Sequence, residues 1–305
     1  MSSRVPANFP GLPKTEAYRP PPVLNGAGPL LAAYDVVLSD VWGVVHDGVT
    51  AYPGASEALS RFRAGGGTVV LVSNAPVPNE EVARMLDGKR VPREAWDAIV
   101  SSGDIALSHI AELGYERLYW IGPEDRDAAF FTRLAATEVG LAHAEAIVCT
   151  GLDDDRNETV ETYAPLLERA RARDLPFVCA NPDLVVDVGG TLLLCAGAIA
   201  EAYAAMGGAV YWAGKPYPIA YETALAVAQR LRAESVPRQR VLAIGDAVRT
   251  DLKAAETAGI DALFVASGIH RAETMRGEEI DAAGLARLLA AGSPPARAAM
   301  AYLSW

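Results

Sequence analysis

The chain has 305 residues, 51% hydrophobic and 21% charged, which excludes a disordered or fibrous protein and leaves room for one large or two ordinary α/β domains. With 27 Lys and Arg against 38 Asp and Glu, the net charge is −11; this argues against nucleic acid or an anionic membrane as partner, since both require clustered cations. No apolar stretch approaches the ~20 residues that cross a bilayer, and no basic-then-apolar leader opens the chain, so a cytoplasmic protein is expected.

Residues 1–30 are rich in Pro and Gly and predict an extended arm. The apolar run from Tyr34 then predicts a buried strand that delivers Asp40 to its carboxyl end, where the loop Trp42-Gly43-Val44 begins. Asp in that position either turns the chain or serves a ligand, because open α/β sheets bind ligands beyond the carboxyl ends of their strands. Pro53-Gly54 opens a helix that Gly65-Gly66-Gly67 stops, and Thr68 to Ser73 forms a second strand ending in Ser73-Asn74. Strand, helix, strand is a right-handed parallel unit. From residue 80 to 207 short helices and strands alternate, with strands expected at 98–101, 117–121, 146–150, 176–179 and 192–195. The last third resumes the first style. A strand over 210–213 runs into Gly214-Lys215-Pro216, one over 240–244 into Gly245-Asp246, and one over 262–266 into Ser267-Gly268; the chain finishes in a helix over 281–290 and a helical or frayed tail. The cysteines, Cys149, Cys179 and Cys195, are odd in number, lack CxxC spacing and each end an apolar run, which predicts buried free thiols.

Four strands thus end in Asp40, Ser73-Asn74, Gly214-Lys215 and Gly245-Asp246, and one parallel sheet would gather those ends at one edge. Carboxylates converging in a crevice repel unless a cation sits between them, and a hard divalent ion with oxygen ligands, Mg²⁺ above all, fits. A lysine and a hydroxyl beside them suit a phosphoryl group, and a carboxylate can act as nucleophile through an aspartyl phosphate.

Five ordered segments carry a resemblance: Asp40-Val41-Trp42-Gly43-Val44, Tyr52-Pro53-Gly54-Ala55, Val72-Ser73-Asn74, Gly214-Lys215-Pro216 and Gly245-Asp246 through Asp251. Together with Thr150 to Asp153 and Asn181-Pro182-Asp183, they are similar to a haloacid dehalogenase (HAD)-like hydrolase of class IIA, the group of NagD-type sugar phosphatases and p-nitrophenylphosphatases. The resemblance implies an α/β fold, a Rossmann-like parallel-sheet core with an inserted α/β (C2-type) cap. The divisions it suggests are an arm at 1–30, core at 31–79 and 208–292, cap at 80–207 and a tail at 293–305. It implies Asp40 as nucleophile; Asp40, Asp246 and the Trp42 main-chain carbonyl as Mg²⁺ ligands; Asp251 in support; Ser73 and Lys215 on the phosphoryl group; and Gly43, Asn74, Asn181 and Asp183 around phosphate or substrate. It also implies a small phosphorylated metabolite as substrate, a sugar phosphate among the candidates, and a homodimer through the cap.

The sequence departs from the family at Trp42, where these phosphatases usually carry a second Asp that protonates the leaving alcohol. General acid–base assistance is worth roughly 10²–10⁴-fold in rate. Three outcomes follow: a phosphatase preferring good leaving groups, a substitute acid, or binding with little turnover. His46 and Asp47 are the nearest substitutes, although Asp47-Gly48 also reads as a tight turn with His46 packed beneath it.

Overall fold

The computed structural model describes residues 20–290 and 292–305; the beginning of the expected arm, residues 1–19, lies outside the described residues. In chain order the strands are β1 (Val36–Ser39), β2 (Thr68–Ser73), β3 (Ala98–Ser101), β4 (Arg117–Ile121), β5 (Thr137–Glu138), β6 (Ala146–Cys149), β7 (Phe177–Cys179), β8 (Val185–Val188), β9 (Thr191–Leu194), β10 (Val210–Trp212), β11 (Val241–Gly245), β12 (Asp261–Val265), β13 (Met275–Arg276), β14 (Glu279–Ile280) and β15 (Ala298–Met300). They form a six-stranded sheet in the order β15-β12-β11-β1-β2-β3 and a five-stranded sheet in the order β10-β7-β6-β4-β5, with hairpins β8-β9 and β13-β14. Every pairing within the two larger sheets is parallel. This is the expected α/β core with a cap.

The central strands are runs of Val, Leu and Ile buried on both faces, as parallel strands covered by helices must be. Local chemistry sets the helix ends. Pro53 occupies the first turn of the helix Pro53–Ala64, where its missing N–H costs nothing. The Ser101 hydroxyl accepts from Asp104 N at 3.1 Å to cap Ser102–Leu113, and Gly114 ends that helix in the left-handed conformation at φ 66°. Ile105, Ala106 and Ile110 of the same helix belong to an apolar cluster that includes Val36, Leu38 and Val70 of the first sheet and Leu118, Val148 and Val178 of the second. One continuous core therefore runs through both sheets.

Strand pairing moves the expected divisions. β3, placed in the cap by the sequence reading, lies in the first sheet, whereas β10, placed in the core, pairs with β7 in the second. The expected helical or frayed tail instead contains a buried edge strand, β15, paired with β12 in register Leu263↔Ala298. Ala298-Ala299 carries helical propensity, and tertiary pairing overrides it. Residues 20–30 also dock: Leu24 N donates to Ala299 O at 2.9 Å and Ala27 N to Ser304 O at 2.8 Å. All three cysteines are buried and free. Among the described residues no helix is long and apolar enough to cross a membrane.

Candidate active site

β1 sits at the centre of the first sheet, between β2 and β11. Asp40 follows β1 immediately and its N–H continues the ladder to Ile244 O at 2.8 Å, so Asp246, two residues beyond Ile244, lies beside it. Ser73 ends β2 on the other flank. The second sheet contributes from its own strand ends: Thr150 after β6, Asn181 and Asp183 after β7, and Lys215 after β10. These groups meet in one crevice of about 1030 Å³, which Asp40, Trp42, Gly43, Ser73, Asn74, Asn181, Asp183, Lys215 and Asp246 all line.

Lys215 reaches this crevice by a route the sequence did not predict, from the loop that follows a cap-sheet strand rather than a core strand. Only 2% of its side chain is exposed, and Nζ lies 2.7 Å from both Asp40 Oδ1 and Asp251 Oδ1. Burial works against its charge, but Asp251 and Asp40 outweigh it and hold Lys215 well above the usual lysine range. Asp251, 1% exposed, also accepts from Ala247 N at 3.1 Å, so its carboxylate is committed to fixing Lys215 against the loop. A Cβ on Gly245 would come within 2.2 Å of the Asp251 Cβ and Cγ, and glycine there is what lets the acid tuck in.

Asn74 was expected on the phosphate or substrate. Its amide is instead spent within the protein: Nδ2 donates to Asp183 Oδ1 at 2.9 Å and Lys215 O at 3.0 Å, while Oδ1 accepts from Lys215 N at 2.8 Å and Ser102 Oγ at 3.2 Å. That uses both donors and both lone pairs, so Asn74 fixes the Lys215 backbone and the Asp183 carboxylate. Asn181 shapes the same loop, its Oδ1 accepting from Asp183 N at 3.1 Å. Ser73 Oγ accepts from Ala75 N at 3.1 Å and keeps its own hydrogen to donate. Arg249 ties the neighbouring loop to the cap, donating to Pro182 O at 3.3 Å and pairing with Glu201.

Carboxylate oxygens of Asp40, Asp246 and Asp251 lie within 4.8 Å of one another. Burial and the Asp251 charge push Asp40 up to about 7 against the pull of Lys215. Burial, then Asp40 and Asp251, push Asp246 well above the carboxylate range. Three acids therefore share one lysine. Asp246 Oδ2 accepts from Ile269 N at 2.6 Å, and a Cβ on Gly43 or Gly268 would come within 2.2 or 1.9 Å of that oxygen. The two glycines leave a carboxylate wrapped by backbone, short of positive charge and made of hard oxygen donors, which fits a divalent cation.

Trp42 points its indole across to the cap, where Nε1 donates to Asp187 O of the β8-β9 hairpin at 2.9 Å. Beneath it, His46 packs edge-on at 5.1 Å between ring centroids, and a Cβ on Gly48 would come within 2.3 Å of the indole. His46 Nδ1 accepts from Gly48 N at 2.8 Å, and burial, then the Lys89 charge, push the imidazole down to about 4. Asp47 Oδ1 accepts from Val49 N at 2.9 Å and Thr50 N at 2.6 Å. Both residues build the turn.

Sequence reasoning missed the roof. Val185, Val186, Val188, Leu193 and Leu194 of the β8-β9 hairpin line the crevice. The signal was present, since Gly189-Gly190 between two apolar runs is a two-residue hairpin turn. Arg126 was missed as well; it lies over the crevice paired with the buried Asp127 at 3.0 Å and with Asp155 at 2.7 Å.

A haloacid dehalogenase-like hydrolase family model matches residues 37–133, and a HAD-hydrolase-like model matches residues 212–291. A solved hydrolase of the haloacid dehalogenase-like family from Brucella suis 1330 is 41% identical, with a TM-score of 0.80 over 93% of this chain and 99% of that one. The chain is a haloacid dehalogenase-like hydrolase. Its relatives include the dihydroxyacetone phosphatase of Corynebacterium glutamicum (strain R), 28% identical over 76% of this chain and 81% of that protein. NagD from E. coli K-12 shares the fold, with a TM-score of 0.60 at 20% identity over 88% of this chain and 97% of that one.

Proposed function

We propose that this HAD hydrolase is a Mg²⁺-dependent phosphomonoesterase acting on small phosphorylated metabolites through a phospho-Asp40 intermediate. The observation that carries the proposal is the Asp40–Lys215–Asp251 array, in which a buried ammonium holds one oxygen of the mostly buried Asp40 carboxylate, which lines the crevice, at 2.7 Å. Asp40 attacks phosphorus, and the ester oxygen departs with the bonding pair. Water then attacks the phosphoryl group, whose release as phosphate returns the Asp40 carboxylate. Lys215 and the Ser73 hydroxyl bind phosphoryl oxygens, and Asn74 and Asp251 keep Lys215 in place. Asp40, Asp246 and the Trp42 carbonyl would hold the metal, which when bound supplies positive charge against the phosphoryl oxygens. The cap excludes water and meets the organic part of the substrate. The Corynebacterium glutamicum relative, named for a small phosphate ester, supports this size of substrate.

A second reading, binding with little turnover, is favoured by one observation: Trp42, His46 and Asp47 offer no titratable donor near neutrality. An assay with Mg²⁺ on p-nitrophenyl phosphate and a panel of sugar and nucleotide phosphates, beside Asp40→Asn, separates the two readings. Turnover that the substitution abolishes supports the enzyme. Binding of Mg²⁺ and phosphate with no turnover in either protein establishes the binder.

A further inference from the structure

In-line displacement at phosphorus puts the leaving oxygen on the side opposite the attacking carboxylate. Trp42, two residues beyond Asp40, is bonded to the β8-β9 hairpin, whose side chains line the same crevice as Asp40, Ser73 and Lys215. Apart from Asp187, the side chains there are carbon: the Trp42 ring, Val185, Val186, Val188, Leu193 and Leu194. Trp42 has a single polar hydrogen, and Asp187 O takes it. His46 is buried and accepts from Gly48 N, and Asp47 is bound into its turn. Arg126 is paired with Asp127 and Asp155. Of the other carboxyls lining the crevice, Asp187 Oδ1 accepts from Gly190 N at 2.7 Å, Glu81 pairs with Arg84, Asp155 pairs with Arg126, and Asn74 holds Asp183 on the Lys215 side. An alkoxide expelled here would have to leave as the strong base it is, beside an apolar wall.

We propose that the substrates of this site are phosphate esters or anhydrides whose leaving oxygen is weakly basic (aryl, enol or acyl phosphates), with Trp42 and the hairpin selecting them by packing on the leaving group. This deepens the phosphatase reading and rests on it. The P–O bond breaks with its electron pair on the leaving oxygen, which departs as phenolate, enolate or carboxylate and takes any proton from solvent afterwards. Water then cleaves phospho-Asp40, and the two hydrogens of that water leave on inorganic phosphate.

The test measures kcat/KM of the full chain with Mg²⁺ on substituted phenyl phosphates of graded leaving-group basicity, on acetyl phosphate and on glycerol phosphate. Wild type should fall steeply with basicity, with the alkyl ester on the order of 10²–10⁴-fold below the best aryl ester, the scale of the missing proton transfer. Trp42→Asp should raise the alkyl rate more than the aryl rate and flatten the slope. Trp42→Phe, which preserves a ring and offers no proton, should keep the slope steep whatever its absolute rate. A flat wild-type slope overturns the proposal, as does a slope that becomes steep only in Asp183→Asn, which would make Asp183 the acid. Equal background rates in wild type and Asp40→Asn on every substrate would instead overturn the phosphatase reading itself.

Discussion

On the floor of the crevice the charged side chains and Asn74 are each held by fixed partners, and the central ones have several. Asp251 binds Lys215 and a backbone amide, Asn74 makes four hydrogen bonds, and Asp246 is wrapped by two glycines and an amide. On the roof the lining is mostly aliphatic and half-buried, and among the described residues one side-chain hydrogen bond, from the Trp42 indole, ties it to the loop below. The floor handles charge, which is costly to bury unless every charged group is paired and held. The roof handles carbon, which requires area and shape but little angular precision. Loss of one floor contact should therefore spread to its neighbours, whereas a change in the roof should stay local.

The largest effect is expected where the floor loses its buried ammonium. Lys215→Met leaves Asp40 and Asp251 facing Asp246 with no counter-charge. Breaking a buried pair from one side costs roughly 3–5 kcal/mol, and losing such a group from the phosphoryl site should lower kcat by at least 10²–10³-fold, an order-of-magnitude figure. Urea unfolding in metal-free buffer reads the first, and unchanged stability would show that the ammonium is not what holds the acids together.

Next comes the metal. A site with carboxylates this close should bind Mg²⁺ in the folded state, and at one hundred times its dissociation constant the ion adds about 2.7 kcal/mol to stability. The wild-type melting temperature should climb with Mg²⁺ and fall on chelation, while Asp246→Asn should stay level. A wild-type melt indifferent to Mg²⁺ would falsify the three-acid site as a cation site.

The floor and the roof also differ in what the sequence revealed of them. Asp40, Ser73 and Asp246 were legible because each ends a buried run of Val, Leu and Ile, and parallel strands bring their ends together. Lys215 was legible by motif but not by route. β10 looks like any short apolar strand, and nothing in Val210-Tyr211-Trp212 says which of two parallel sheets it joins. Asn74 was placed on the ligand because a polar residue at a strand end reads alike whether it faces ligand or protein; its four bonds span up to 141 residues and exist only in three dimensions. The Trp42–Asp187 bond spans 145 residues and ends on a backbone carbonyl, so no side chain at position 187 could have signalled it.

Asn74 supplies a smaller test on the floor. In Asn74→Ala the Lys215 N–H and the Asp183 carboxylate each lose a partner in a buried setting, at a cost of about 1–3 kcal/mol. Because Asn74 positions Lys215 rather than touching phosphate, kcat should fall while inorganic phosphate still binds at the site. Loss of phosphate binding with a raised KM and an unchanged kcat would return Asn74 to the ligand.

The smallest effect sharpens the comparison from the roof side. Trp42→Phe removes the Nε1–H to Asp187 O bond and retains a ring against His46 and Gly48, so global stability should drop by only about 0.5–1.5 kcal/mol. The change should concentrate in the hairpin, where amide exchange over residues 185–194 should quicken while amides of β1 and β11 keep their protection. The reason is architectural. The hairpin belongs to neither large sheet, and its two strands pair only with each other among the described residues, so a lost tie there has no ladder through which to spread. The β1 and β11 amides lie inside a six-stranded parallel ladder and would loosen only with the whole sheet. If exchange quickened equally in both places, roof and floor would be a single cooperative unit, and Trp42 would belong to the structural core instead of to the selection of the leaving group.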